Sequence, residues 1–194
     1  MMKENIYLFF DTETTGLPLN YNAPASDLNN WPRLVQLAYA LHREDGSEIL
    51  QVNQIIKPEG FTIPPEVSKV HGITTEKAIT SGVDLKLALA QFTNALKQAD
   101  YLVAHNIAFD EKIMGAELLR NGMQDLFENA TKICTMKSST DYCKIKGPYG
   151  YKWPTLQQLH STLFGLGFGN AHNASADVEA TVKCFFELKS LGEI

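Results

Sequence analysis

Asp11 and Glu13 stand two residues apart at the end of Ile6-Tyr7-Leu8-Phe9-Phe10, a continuous run of strand formers. In a strand, residues i and i+2 point to the same side, so both carboxylates can turn toward one cation. The plainer alternative is a pair of solvated acids at a strand end. Thr14-Thr15-Gly16 follows as a polar turn whose backbone amides are candidates to hold a phosphate. A third acid, Asp110, closes His105-Asn106-Ile107-Ala108-Phe109-Asp110 near the start of a helix, where the helix dipole favours negative charge and a capping role competes. Asp177 has the same placement after His172-Asn173-Ala174-Ser175-Ala176, whose small residues allow close backbone approach. His172 is a candidate proton acceptor, although taken alone it also reads as an ordinary surface or half-buried histidine. Carboxylates without thiolates or clustered imidazoles suit hard cations, so Mg²⁺ or Mn²⁺ is expected and zinc is not. Cys134, Cys143 and Cys184 are odd in number and lack C-x-x-C spacing, which argues against a zinc site or a disulfide framework and fits a reducing cytoplasm.

These residues need elements to hold them. Ile6 to Phe10 reads as a strand buried on both faces that delivers Asp11 at its end. Asn20 to Pro32 is rich in Asn and Pro and reads as a loop, of a length often tied to function. Strand-like segments Arg33 to His42 and Glu48 to Ile56 flank Glu44-Asp45-Gly46, a hairpin signal, and suggest an antiparallel meander. Leu85, Ala88, Leu89, Phe92, Ala95, Leu96 and Ala99 share one helical face. Tyr101 to Ala104 reads as a further strand. A helix from about Ala108 carries Phe109, Ile113, Ala116 and Leu119 inward and ends at Gly122. A short strand at Lys132-Ile133, a helix after Pro154 and a last helix from Ser175 to about Leu188, burying Val178, Val182 and Phe185, complete the chain. The order predicts an α/β domain, a mixed sheet with helices packed on it.

With 194 residues, the chain fits one domain spanning 1–194. Hydrophobic residues at 44% and charged residues at 20% are ordinary globular usage, which excludes a disordered or fibrous protein. The net charge of -5 provides no overall field to gather polyanions, a deficit that cations bound by the acids would offset locally. The first apolar run is too short for a signal peptide and no stretch approaches membrane-spanning length, so a cytoplasmic location without membrane contact is expected.

Taken together, Phe10-Asp11-Thr12-Glu13-Thr14-Thr15-Gly16, His105 to Asp110 and His172 to Asp177 resemble the three motifs of the DEDDh family of 3′→5′ exonucleases, which includes the proofreading subunit of bacterial DNA polymerase III. The match runs in order from Asp11 to Asp177. Where the tyrosine-type sister group has Tyr four residues before the last acid, this chain has Asn173, and His172 fits the histidine type. The resemblance implies a ribonuclease H-like fold, with a five-stranded mixed sheet flanked by helices and the site at the ends of its central strands. It also implies hydrolysis at the 3′ end of a nucleic acid, with single-stranded DNA favoured, releasing nucleoside 5′-monophosphates.

In that reading Asp11, Glu13, Asp110 and Asp177 hold two Mg²⁺ or Mn²⁺ ions ~3.5–4 Å apart and His172 acts as general base. Thr14 belongs to the phosphate-side turn. Leu17 and Phe109 are candidates for apolar contact with the terminal base, though Phe109 also lies on the inward stripe. Val70-His71-Gly72-Ile73-Thr74 resembles the proofreading segment that contacts the terminal nucleotide, which makes Glu66 and His71 candidates for its sugar; otherwise they read as a helix-surface acid and a turn histidine. Lys144, Lys146, Tyr149, Tyr151 and Trp153 interleave basic and aromatic residues in a stretch that reads as a solvated loop or as a strand-binding edge. Gln158 to Phe164 faintly resembles a sliding-clamp-binding peptide but has the pattern of a helix.

Partners expected from the resemblance are nucleic acid and a DNA polymerase or other replication or repair protein. The short stretch after Gly192 suits a stand-alone enzyme or a small accessory subunit. Three alternatives stay open: an RNA-directed exonuclease of the ribonuclease T or oligoribonuclease kind, a catalytically silent binding module, and a haloacid dehalogenase-type phosphatase. The last would use Asp11 as nucleophile, lacks its second Asp at Glu13 and gives His172 no task.

Overall fold

The computed structural model describes residues 4–194. Its central strand β1 (Ile6–Thr14) is buried on both faces through Tyr7–Phe10. Leu8 and Phe10 pack on one side with Leu37, Tyr39, Phe92 and Phe127, whereas Tyr7 and Phe9 pack on the other with Ala38, Ala40, Val178 and Phe185. Antiparallel to β1 runs β2 (Leu34–Arg43), and β3 (Glu48–Ile55) follows it through a turn where Asp45 Oδ1 accepts the Ser47 amide at 2.8 Å and Gly46 takes φ 86°. The meander is therefore present.

Helices α1 (Pro65–His71), α2 (Thr75–Ser81) and α3 (Leu85–Leu96) lead to β4 (Tyr101–Ala104), which lies parallel to the other edge of β1. Next come α4 (Ile107–Arg120) and β5 (Lys132–Cys134), parallel to β4. The rest comprises α5 (Thr135–Ser138), α6 (Thr140–Cys143), the hairpin β6 (Lys146–Gly147) and β7 (Gly150–Tyr151), α7 (Leu156–Phe164) and α8 (Ala174–Ser190). The main sheet has five strands in the order β3-β2-β1-β4-β5, flanked by helices on both faces, as expected of the ribonuclease H-like arrangement. No helix among the described residues is long and apolar enough to cross a membrane.

Three departures from the sequence reading matter for the site. First, β1 runs beyond Phe10, where its apolar run ends. Pairing with β2 continues to Thr14 opposite Leu34, so Asp11 and Glu13 are strand residues, as their i, i+2 reading took them. Second, α4 turns Met114 and Leu118 inward, and Leu119 is only half-buried. A fully buried charge, Glu117, sits in that stripe, accepting hydrogen bonds from the Arg33 guanidinium at 2.8 Å and the Leu34 amide at 3.0 Å and pairing with Arg120 at 3.1 Å. Third, the 144–153 stretch contains a hairpin.

The 20–32 segment is a loop, as read, but a packed one. Trp31 is buried with its indole N–H donating to the Pro24 carbonyl at 3.0 Å, and Arg120 donates to the carbonyls of Leu28 and Trp31. Gly115 of α4 permits the approach, since a Cβ there would lie 2.8 Å from Asp125 Oδ2 and 3.0 Å from Ala25 Cβ.

Candidate active site

Strand parity places Asp11 and Glu13 on the face covered by α8. Asn173 caps that helix, its Oδ1 accepting the Ser175 amide at 3.2 Å, so Asp177 enters the first turn as an acid that is not itself the cap. Asp11, Glu13 and Asp177 each present a carboxylate oxygen within 4.8 Å of the others, a spacing that fits a shared metal ion.

Asp110 arrives from the opposite face. It belongs to α4, and it reaches the site around the end of β4, whose pairing with β1 runs from Tyr7 to Phe9. Beyond that, the Thr12 amide and hydroxyl both donate to Asp110 Oδ1, at 3.0 and 2.7 Å. A main-chain donor beyond the end of the neighbouring strand is thereby satisfied by the acid itself.

Burial raises all four carboxyls. Burial pushes Asp11 well above the usual carboxylate range, with repulsion from Asp110, Asp177 and Glu13 adding to it. Glu13 is pushed up to about 8 by burial, then by Asp177 and Asp110. Asp110 rises to about 7 through burial, against the lowering effect of the Thr12 hydrogen bonds. Asp177 rises to about 6 through burial, partly countered by the His172 amide. Crowded acids that resist ionisation together are suited to a divalent cation, which would restore their charge and remove their repulsion. The donor set is all oxygen, as hard cations require.

His172 is exposed, and its backbone takes φ 66°, a conformation that non-glycine residues seldom adopt. In this conformation its amide donates to Asp177 Oδ2 at 3.2 Å. The histidine is therefore coupled to the acidic cluster through its main chain, with the imidazole left at the solvent side.

The other candidates divide. Thr14 is buried and its hydroxyl donates to the Gly16 carbonyl at 2.6 Å. The expected phosphate cradle is largely closed, because the Thr15 amide already donates to the Arg33 carbonyl at 2.9 Å. Leu17 stands out at 73% exposure, more than a core leucine would. Phe109 is half-buried, packed against the core and 6.5 Å from the Tyr21 ring, so it has both a core side and an accessible one. His71 is buried at the end of α1, and its Nδ1 accepts the Ile73 amide at 3.2 Å. Burial lowers its pKa, which the Thr14 carbonyl opposes and Lys77 reinforces. Glu66 is exposed on α1, as its surface-acid reading has it.

Two positioning residues escaped the sequence reading. Gln36 is buried in β2 opposite Glu13; its Oε1 accepts the Ala174 amide at 3.4 Å and its Nε2 donates to Asn53 at 2.8 Å, tying the first turn of α8 to the sheet. An amide inside the apolar run Leu34 to Leu41 was the available signal. His105 is held neutral, its pKa lowered to about 4 by burial. Its Nε2–H donates to the Pro154 carbonyl and Nδ1 accepts from Thr135, both at 3.0 Å, so it joins the end of β4 to the segment entering α7.

The family model described as Exonuclease, RNase_T, matches residues 8–185. DNA polymerase III PolC-type from Pediococcus pentosaceus is 28% identical over 193 residues, covering 99% of this chain and 12% of that protein. The Lactococcus lactis protein of the same name is 28% identical over 185 residues, 95% of this chain and 10% of its own length. The chain thus spans about a tenth of these relatives. Among solved structures, E. coli Exonuclease I in complex with a dA16 oligonucleotide superposes with TM-score 0.75 at 20% identity, over 96% of this chain and 41% of that one. A zinc-bound E. coli ExoI complex with single-stranded DNA gives TM-score 0.75 at 21% identity, over 97% and 41%.

Proposed function

We propose that this chain, which belongs to the exonuclease family, removes nucleotides from the 3′ end of single-stranded DNA and releases nucleoside 5′-monophosphates. The observation that carries the reading is the convergence of Asp11, Glu13 and Asp177 within 4.8 Å, with Asp110 outside that group but bonded to Thr12 of the same strand and near enough to repel Asp11 and Glu13. These four acids would hold Mg²⁺ or Mn²⁺, two ions in the reading favoured here. Bound there, the cations supply positive charge that acidifies a water and offsets charge on the departing 3′ oxygen.

His172 receives the proton of the attacking water, whose oxygen bonds to phosphorus as the bond to the 3′ oxygen breaks. Its exposed ring and its backbone bond to Asp177 support this role. Leu17 and the accessible side of Phe109 meet the terminal base. His71, buried at the end of α1, and Glu66, exposed in the first turn of the same helix, are the candidates for the terminal sugar, with Thr14 lining the turn. DNA is preferred over RNA because the relatives are DNA polymerases by name, which also makes a replication or repair polymerase the natural partner.

The test uses 5′-labelled single-stranded DNA and matched RNA with Mg²⁺, Mn²⁺ or EDTA. A metal-dependent ladder shortening from the 3′ end is expected, absent for Asp11→Ala and slowed about 10²–10⁴-fold for His172→Ala. Undiminished activity in both variants refutes the assignment.

A further inference from the structure

The segment 132–155 carries five lysines against one acid, in a chain whose net charge is -5. Of these lysines, Lys132 is committed to Glu111 at 2.7 Å, while Lys137, Lys144 and Lys146 are exposed. Interleaved with them are three aromatics turned to solvent: Tyr149 at the hairpin tip with 103% exposure, Tyr151 with 51% and Trp153 with 59%. Side chains this exposed do not serve the core. Lys146 and Tyr151 are direct partners across β6 and β7, so a cation and a ring stand on one side of the ribbon. The Lys137 ammonium lies 5.7 Å from the centre of the Trp153 ring, a second cation beside an aromatic.

The ribbon is tied to the catalytic end of the sheet. β1, β4 and β5 are parallel, so their carboxyl ends lie together. The segment leaves β5 at Cys134, which pairs with Ala104 at the end of β4, and His105 grips the Pro154 carbonyl at its far end. Between these points α5 contacts α8, and Tyr142 and Cys143 pack with Cys184 and Leu188, putting the segment on the α8 face that holds Asp11, Glu13 and Asp177.

We propose that this ribbon is a track for the single strand leading to the active site, with the lysines meeting phosphates and Tyr149, Tyr151 and Trp153 stacking on bases upstream of the terminal nucleotide. Phosphate neutralisation and base stacking require nothing of the sequence bound, which suits an enzyme that works through any strand. The inference rests on the exonuclease reading for its substrate. It gives the acidic chain the local basic surface that its overall charge lacks.

The experiment measures binding of fluorescein-labelled dT12 in EDTA for the wild type, Tyr149→Ala/Tyr151→Ala and Lys144→Ala/Lys146→Ala, and Mn²⁺-dependent hydrolysis of the p-nitrophenyl ester of thymidine 5′-monophosphate. Loss of two stacking rings weakens dT12 binding by about tenfold or more. Loss of two lysines flattens the slope of log K against log salt by about 1.4. Both variants hydrolyse the small ester at the wild-type rate, because it does not reach the ribbon, and melt with the wild type, because the altered side chains are exposed. Wild-type affinity for dT12 in both variants overturns the proposal, as does equal loss on the oligonucleotide and the ester, or failure of the wild type to bind. A wild type that binds dT12 through the ribbon but shortens no strand with any metal overturns the exonuclease reading and leaves the track standing.

Discussion

Replacing Glu13 by Gln should make the metal-free protein more stable at alkaline pH while destroying its activity. Glu13 is pushed from an ordinary 4.5 to about 8, so its ionisation is easier in the unfolded chain than in the folded one. The folded state therefore binds more protons between these values. The stability present below 4.5 is lost as pH rises toward 8. At pH 8 the ceiling on that loss is about 4 kcal/mol. A glutamine must also be desolvated and water enters the metal-free cluster, so roughly half of this, about 2 kcal/mol, is the expected gain. For a domain of this size that raises Tm by roughly 4–8 °C. The assay is thermal unfolding in EDTA at pH 8 and pH 5 for both proteins. The gain should shrink below about 1 kcal/mol at pH 5, where the wild-type carboxyl is protonated in the fold. Saturating Mg²⁺ should reverse the order at pH 8, since ligand at a hundredfold excess over Kd adds about 2.7 kcal/mol to a protein that binds it. Equal Tm values in EDTA at pH 8, or a gain that persists undiminished at pH 5, would refute the account of the cluster as four mutually repelling acids.

Thr12→Val removes the hydroxyl that donates to Asp110 at 2.7 Å and keeps the backbone donor, so metal affinity measured by calorimetry should fall by about tenfold with the fold intact. Gln36→Met unties the first turn of α8 from the sheet; it should lower kcat more than it lowers stability, with the Ala174 amide exchanging faster with deuterium. Glu117→Ala leaves the partly buried Arg33 and Arg120 without their shared carboxylate and should cost about 3–5 kcal/mol in urea unfolding, with the 20–32 loop becoming the first point of proteolysis.

The legible parts of the fold were those with a strong period. β4 falls on Tyr101–Ala104 as read, and α3 and α8 differ from the reading only at their ends. α1 and α2, at seven residues each, are too short for an apolar face to repeat, and the sequence between Ile56 and Asp84 carried no periodic signal. The stripe of α4 was misplaced at Leu119 because hydrophobicity cannot register a buried carboxylate. Glu117 is inside only because Arg33, from a different part of the chain, meets it there. The hairpin at Lys146–Tyr151 lacks apolar alternation because both strands lie at the surface, and its two-residue arms are held by a ladder rather than a core.

The acids were readable in type but not in arrangement. Asp11 and Glu13 share a face by strand parity alone, and Asp177 joins them because α8 covers that face. Asp110 obeys a different logic. α4 packs on the other side of the sheet, and its acid contributes only because β4 ends at Ala104 while β1 continues to Thr14. That overhang leaves a strand edge without a neighbouring strand, and the buried amide of Thr12 on it needs an acceptor. Asp110 is the acceptor, so the same carboxylate satisfies the strand's open edge and stands near Asp11 and Glu13. The difference in length between two parallel strands is what creates the site. A substitution at Asp110 then carries two effects: Asp110→Asn keeps an oxygen for the Thr12 amide while removing charge, and it isolates the chemical role in a way that Asp110→Ala does not.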